Sequence, residues 1–386
     1  MSDALLNQTI EILAQLVAFD TTSRNSNLDL IEFVEDYLAR FDVPSIRIDY
    51  EPGKTNLYAT IGPDIAGGIV LSGHTDVVPV DGQPWTTNPF ELTEIEGKLY
   101  ARGSADMKGF LACALAMVPE YVKAPLKRPI HLAFSCNEEV GCIGVRPLIA
   151  HIRDQLPKPM AVIVGEPTLM KVVNAHKASH SYETAVCGCA AHSSNAHLGV
   201  NAIMYAGELL GELNRLAAEL KARGDASGRF VPPYSTLQVG VIEGGTAKNI
   251  VAQDCQFAWD MRLLPDADPD EIPTRLENFA ETLRPQMQAI SKDADIKLTR
   301  TNIVPGLAPD EESPAEAIGR SLTGANALAA VSYATEAGLF QQAGIPAIIC
   351  GPGSIDQAHK PDEWIEKSEL EACLDFLRKL TSHALS

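Results

Sequence analysis

IVLSGHTDVVP, residues 69–79, opens with an apolar, β-branched run, stops at Gly73, and then delivers His74 and Asp76. A short apolar run ending in glycine reads as a strand buried on both faces, the kind a parallel sheet contains. Residues two apart lie on the same side while the chain stays extended, so His74 and Asp76 arrive together at the carboxyl end of that strand. In open α/β sheets this edge is where ligands bind. His74 reads as a metal ligand and Asp76 as the group that fixes its imidazole tautomer. A histidine–aspartate bond that only holds a turn is the alternative.

The same construction recurs on either side. Ile130–Phe134 runs into Ser135-Cys136-Asn137-Glu138-Glu139, placing two adjacent carboxylates after a buried strand. Neighbouring strand residues face opposite ways, so one of the pair can bind metal while the other addresses a substrate. Val162-Ile163-Val164-Gly165-Glu166 is apolar strand, glycine, carboxylate once more, and the strand Ala347–Cys350 leads through a Gly- and Pro-rich loop to His359. Asp106, in Ala101-Arg102-Gly103-Ser104-Ala105-Asp106-Met107-Lys108-Gly109, precedes a helix. There it could be a ligand or an ordinary N-cap, a role aspartate often fills.

Between these strands lie helical stretches, Met107–Tyr121, Ser313–Leu322 and Lys367–Leu385, and the alternation predicts a mostly parallel sheet covered by helices. From Lys177 to Ile303 the pattern changes to strand, helix Asn201–Arg223, strands Leu237–Ile242 and Cys255–Arg262, helix Asp270–Gln286, and strand Ile296–Thr301. That βαββαβ order describes an α+β domain inserted into the first. The expected organisation is a first part of one domain in residues 1–176, the insertion in 177–303, and the remainder of the first domain in 304–386. Ligand sites commonly form where such domains meet. A chain of 386 residues, 46% hydrophobic, suits two cores better than one.

A formal charge of -19 argues against nucleic acid and anionic membranes as partners, because neither would find enough basic surface. The opening MSDALLNQTIEILAQLV lacks a basic leader and reads as an amphipathic helix with Leu6, Ile10, Leu13 and Val17 on one face. Eight cysteines sit mostly in apolar stretches without a disulfide-like spacing, which points to a reducing cytoplasm. Cys136 and Cys142 lie near the carboxylates, so a cysteine hydrolase is a competing reading. Two histidines and three carboxylates, one of them shared, would satisfy two zinc-like ions, and cobalt would suit the same donors. Such a pair, about 3.5 to 4 Å apart, would ionise water and polarise a substrate carbonyl.

SGHTDVVP, ARGSADMKG, NEEVG and GEPT, in this order, resemble the dinuclear zinc deacylases and exopeptidases, and the likeness runs over nearly the whole chain. The resemblance implies that His74 and Glu166 bind one metal, Glu139 and His359 the other, and Asp106 bridges them. It implies Glu138 as the general base that takes a proton from the attacking water and returns it to the leaving amine, with Asp76 orienting His74. In this family the inserted domain is a lid and homodimerisation unit. The segment Ala190-Ala191-His192-Ser193-Ser194 implies that His192 reaches the partner's site and stabilises the oxyanion, while Asn249 and Arg262 hold polar groups of the substrate.

Within the family, Val173–Lys177, Met261–Pro265 and Ala334-Thr335-Glu336-Ala337 with GPGSIDQAHKPDEW resemble the acetylornithine deacetylase branch. That implies a small N-acylated amino acid as substrate, N-acetylornithine first, in arginine biosynthesis, with Glu336 pairing the ornithine ammonium or shaping its pocket. Desuccinylase or broader acylamino-acid deacylase activity shares the same motifs. A non-catalytic binding protein on this fold is the reading of another class, and it would have lost Glu138 or a ligand.

Overall fold

A computed structural model describes residues 2–385. The chain divides into two compact units, Met1–Ala175 with Leu307–Ala330 and Thr335–Ser386, and His176–Gly306 with Val331–Ala334.

An eight-stranded sheet organises the first unit. Its order is Ser45–Glu51, Lys54–Ile61, Ile130–Ser135, Ile69–His74, Ala161–Pro167, Ala347–Gly351, Val173–His176 and Ala329–Val331. The four strands from Ile130–Ser135 to Ala347–Gly351 run parallel, and Lys54–Ile61 and Val173–His176 flank them antiparallel. Each of the four is buried along its whole length, which is why their sequences are continuous apolar runs rather than alternations. The mixed α/β architecture expected from the strand and helix alternation is the one observed. Helix Ser2–Ala18 packs Leu5, Ile12, Leu13, Leu16 and Val17 into the core, with Leu6 and Ile10 at its margin. A small sheet of Trp364–Glu366, Lys98–Tyr100 and Thr93–Ile95 lies alongside in sequence register, Trp364 opposite Tyr100.

The helix expected over Met107–Tyr121 is broken. Ser104–Lys108 forms a tight turn in which Asp106 and Met107 leave helical geometry, and regular helix begins at Gly109, ends at Ala116 and restarts over Val118–Lys123. Pro119 belongs to the first turn of the second piece, where its missing N–H costs nothing.

In the second unit, strands Thr236–Gly244, Asp254–Leu263, Ala178–Cys187 and Asp295–Val304 form an antiparallel sheet in that order. Helices Ala202–Arg223 and Glu271–Gln288 share a core with it that includes Leu213, Leu216, Phe257, Trp259 and Leu276. Asn201 caps the longer helix by accepting hydrogen bonds from the Ile203 and Met204 amides. Strand Asp254–Leu263 alternates strictly, burying Cys255, Phe257, Trp259, Met261 and Leu263 and turning Arg262 to the other face. No described helix is long and apolar enough to cross a membrane.

Candidate metal centre

Two strand glycines let the Asp106 turn come down onto the strand tips. A side chain at Gly73 would lie 2.6 Å from Met107 Cε, and one at Gly165 would lie 2.0 Å from Phe110 Cγ. Each glycine precedes a candidate ligand, so the close approach that glycine permits is what brings Asp106 to His74 and Glu166.

Asp106 lies between the two histidines. Its Oδ1 is 3.0 Å from His74 Nε2, and its Oδ2 is 3.4 Å from His359 Nε2. Glu166 Oε1 stands 3.7 Å from His74 Nε2, and Glu139 Oε2 stands 2.9 Å from His359 Nε2. The helix that follows takes no side-chain cap from this carboxylate, which removes the N-cap alternative. Donors held about 2.0–2.2 Å from one tetrahedral ion sit roughly 3.3 Å apart, and the four separations bracket that figure. His74, Asp106 and Glu139 meet closely enough to share an ion, as do His74, Glu138 and Glu166.

The electrostatics fit cations. Burial, then the Asp106 charge, pushes Glu139 up to about 7, and the same causes hold Glu166 well above the usual carboxylate range. Burial pushes Glu138 up to about 8, with Glu139, Glu336 and Asp106 adding to it and His74 opposing. Hydrogen bonds to Asp106 and Glu139 raise His359 to about 10. Burial alone would keep His74 neutral, yet its carboxylate neighbours hold it well above its ordinary value. Against its burial, hydrogen bonds from His359 and His74 hold Asp106 well below the usual carboxylate range, while the clustered negative charge draws protons onto the groups around it, and two divalent cations would replace those protons. A set of imidazole and carboxylate donors without thiolate suits zinc or cobalt.

Asp76 works differently from its expected geometry. His74 Nδ1 is 2.9 Å from the main-chain carbonyl of Asp76, whereas the nearer carboxylate oxygen is 3.8 Å away. A carbonyl only accepts, so Nδ1 carries a proton, and Nε2, whose proton the carboxylates hold here, is the nitrogen that would offer its lone pair to a cation between Asp106 and Glu166. The Asp76 carboxylate instead accepts from the Glu138 amide (3.0 Å), the Glu139 amide (3.2 Å) and Ser23 Oγ (2.7 Å). The strand has ended at Ser135, and Asn137 adopts φ 51°, so Glu138 and Glu139 occupy a turn rather than opposite faces of a strand. What separates the two carboxylates is that turn, anchored by Asp76. Cys142 Sγ donates to Glu138 Oε1 at 3.1 Å. Burial, then the Glu138 charge, keeps its thiol protonated, and burial pushes Cys136 up to about 12, which disfavours either as a nucleophile.

Glu336 is 1% exposed. Both its oxygens are engaged, by Ser72 Oγ at 3.2 Å and by Ser135 Oγ, so the carboxylate ties two adjacent parallel strands just behind the ligands. Burial pushes it up to about 7.

Two charged residues beside the ligands escaped the sequence reading. Glu363 and Arg102 are each 1% exposed and form an ion pair at 2.7 Å. The only signal in the sequence is that opposite charges flank two ligands, Arg102 four residues before Asp106 and Glu363 four after His359.

The three remaining residues belong to the second unit. His192 Nδ1 accepts from the Ser194 amide at 3.2 Å, which leaves the ring proton on Nε2. Its segment bridges to Ile250, and the Ser193 amide donates to the Asn249 carbonyl at 3.0 Å, so His192 and Asn249 are neighbours. Arg262 Nε lies 3.4 Å from Asp260.

Residues 70–383 match peptidase family M20/M25/M40. The acetylornithine deacetylase of Proteus mirabilis (strain HI4320) is 36% identical over 380 residues, 96% of this chain and 95% of that protein. That of Myxococcus xanthus is 36% identical over 382 residues, 96% of each. Among solved structures, an M20 family metallo-carboxypeptidase from Sulfolobus solfataricus has the same fold, with a TM-score of 0.77 at 20% identity over 98% of this chain and 99% of that one. With similarity running along nearly its full length and metal-binding donors gathered at its strand tips, the chain belongs to peptidase family M20/M25/M40 and is a metal-dependent hydrolase.

Proposed function

We propose that this chain hydrolyses N-acetyl-L-ornithine to acetate and L-ornithine with two divalent cations, zinc or cobalt. The observation that carries the chemistry is the Asp106 carboxylate, one oxygen toward His74 and the other toward His359. Support for the substrate comes from the two full-length relatives that are acetylornithine deacetylases.

His74 and Glu166 would hold one cation, Glu139 and His359 the other, and Asp106 both. When bound, the pair supplies Lewis acidity that polarises the scissile carbonyl and makes water a nucleophile at neutral pH. Glu138 takes the proton from that water and delivers it to the amide nitrogen as the bond to the acetyl group breaks. Asp76 holds the turn on which Glu138 stands. His192, with its proton on Nε2, is suited to donate to the carbonyl oxygen in the partner's site as charge develops there. Asn249 and Arg262 bind the substrate's polar groups, Arg262 pairing with the α-carboxylate. Of the two roles open to Glu336, its burial and its two serine donors favour shaping the pocket over direct contact with the ornithine ammonium.

A homodimer formed through the second unit is part of this reading. Val241 (57% exposed) and Ile242 on strand Thr236–Gly244, with Leu198, Ile203, Met204 and Ile250, leave more apolar side chain uncovered there than a lone unit has reason to carry. Eight free cysteines support a cytoplasmic setting.

Purified enzyme reconstituted with zinc or cobalt is to be assayed on acetylornithine, acetylmethionine and succinyl-diaminopimelate. Acetylornithine is expected to give the highest kcat/KM, and a preference for either of the others overturns the substrate. Glu138→Gln is expected to lower kcat by about 10²–10⁴-fold with metal content unchanged. Unchanged turnover would remove Glu138 as the base.

A further inference from the structure

Asp106 and His359, the bridging carboxylate and the second histidine, both sit on loops, away from the strand tips that carry His74 and Glu166. Asp106 departs from helical geometry and His359 has φ 63°, a conformation that a residue with a side chain adopts only when its surroundings hold it. One buried carboxylate reaches both loops. Glu363 Oε1 accepts from the amides of Ala105 (2.9 Å) and Asp106 (3.0 Å). Its Oε2 accepts from the amide of Gly103 (3.0 Å) and from Arg102 Nη1 (2.7 Å). Three amides and a guanidinium thus converge on a single side chain, while its own carbonyl accepts from the Ala101 amide at 3.1 Å.

The loop's other end is tied by Gln83. Its Nε2 donates to the His359 carbonyl at 3.1 Å, and its Oε1 accepts from Arg102 Nη2 at 2.6 Å and from Trp85 Nε1 at 3.0 Å. The Arg102 guanidinium also stands over the Trp85 ring, 5.1 Å from its centroid. The path His359 carbonyl, Gln83, Arg102, Glu363, Asp106 amide is therefore continuous, and Arg102 and Glu363 are each 1% exposed. The pairing of Trp364 with Tyr100 brings the chain on from His359 alongside the segment leading to Asp106.

We propose that Glu363 is a positioning residue that, with Arg102 and Gln83, locks the Asp106 turn to the His359 loop and so sets the affinity of the second cation. The proposal rests on reading Asp106, Glu139 and His359 as that cation's site. An amide at 363 would offer one acceptor where the carboxylate offers two, and would set its NH2 against backbone N–H groups. The Asp106 turn would then shift relative to His359, while the strand-tip ligands His74 and Glu166 keep their places.

Cobalt(II) titration of the metal-free enzyme, followed by calorimetry and by visible absorption, tests this without reference to turnover. In Glu363→Gln the weaker binding step is expected to lose about 10–100-fold in affinity, the tighter step to change less than threefold, and excess cobalt to restore kcat largely. Gln83→Ala, which leaves the buried ion pair intact, is expected to weaken the same step by roughly 3–10-fold and decides the matter if Glu363→Gln does not fold. Two variants that titrate like the wild type, or that weaken both steps equally, overturn the proposal. His359→Ala separates it from the site assignment. If that change leaves the weaker step intact, the cation site itself was misread, whereas its loss beside an unaffected Glu363→Gln refutes only the positioning role.

Discussion

Replacing Asp76 with asparagine separates two roles that its sequence position confounds. In the structure, the imidazole of His74 is oriented by the Asp76 carbonyl, which the substitution leaves in place. The side chain instead receives three donors, the amides of Glu138 and Glu139 and the Ser23 hydroxyl. Asparagine keeps one oxygen for one amide. Its NH2 then faces a second amide, while Ser23 can rotate to accept. One charge-assisted hydrogen bond is lost and one buried N–H is left opposed, together about 1.5–3 kcal/mol. If that energy holds the Glu138 turn in its reactive place, kcat should fall by roughly 10–150-fold. Steady-state kinetics at saturating zinc or cobalt, with metal content measured in parallel, is the assay. Ser23→Ala, which leaves both amides bound to the carboxylate, should cost about tenfold or less. A kcat for Asp76→Asn within threefold of the wild type at saturating metal would refute the reasoning. An effect confined to metal affinity would do the same, because it would return the carboxylate to His74.

His131 gives a pH dependence of known sign. It is 3% exposed, stacked on Tyr58, and burial lowers it from 6.5 to about 4. A depressed histidine costs nothing above pH 6.5, but below it the unfolded chain takes up a proton that the folded ring refuses, so stability falls as pH drops toward 4. Relative to His131→Asn, the wild type should lose about 2.5 kcal/mol between pH 7.5 and 4.5 in urea unfolding of the metal-free protein. A difference independent of pH, or a His131 ring that titrates near 6.5 by NMR, would contradict this. Gly165→Ala would set a methyl 2.0 Å from Phe110 Cγ and is expected to cost about 1–3 kcal/mol and to lower activity by displacing Glu166. Adding Phe110→Leu should return part of both losses, and an unchanged melting temperature for the single variant would count against the packing argument.

What was legible in the sequence was whatever a strand carries with it. Apolar run, glycine and ligand are contiguous at His74 and Glu166, so the run and its glycine located the strand, its carboxyl end and the donor. The insertion was legible in the βαββαβ order of its runs, and its strand Asp254–Leu263 alternates as one with a single covered face should. What was not legible depended on the chain leaving regular geometry. Whether Asp106 caps a helix or faces two histidines turns on two backbone angles that composition does not reveal. The spacing of His74 and Asp76 predicted side chains on a common side, but the strand stops at His74 and the carbonyl, not the carboxylate, meets the ring. Asn137 likewise bends the chain before Glu138 and Glu139, so the opposition of strand faces does not apply to them.

The same distinction explains why the site needs long-range partners at some ligands and not at others. Ligands at strand tips inherit their spacing from the sheet, since His74 is paired in register with Ser135 and the strand bearing Glu166 pairs with both neighbours. Their positions are set by ladders of hydrogen bonds, and a glycine suffices to admit the neighbouring turn. Asp106, Glu138, Glu139 and His359 lie beyond any ladder, and each is instead reached by a side chain distant in sequence: Asp76 accepts the amides of the Glu138–Glu139 turn, Glu363 accepts those of the Asp106 turn, and Gln83 binds the His359 carbonyl. Each of these contacts falls on the backbone rather than on the ligand's side chain. Backbone anchoring fixes where a donor stands while leaving its lone pairs for a cation, which a direct bond to the donor atoms would consume. A carboxylate or amide aimed at the main chain of a ligand turn is therefore the feature to seek when a metal site is assembled from loops.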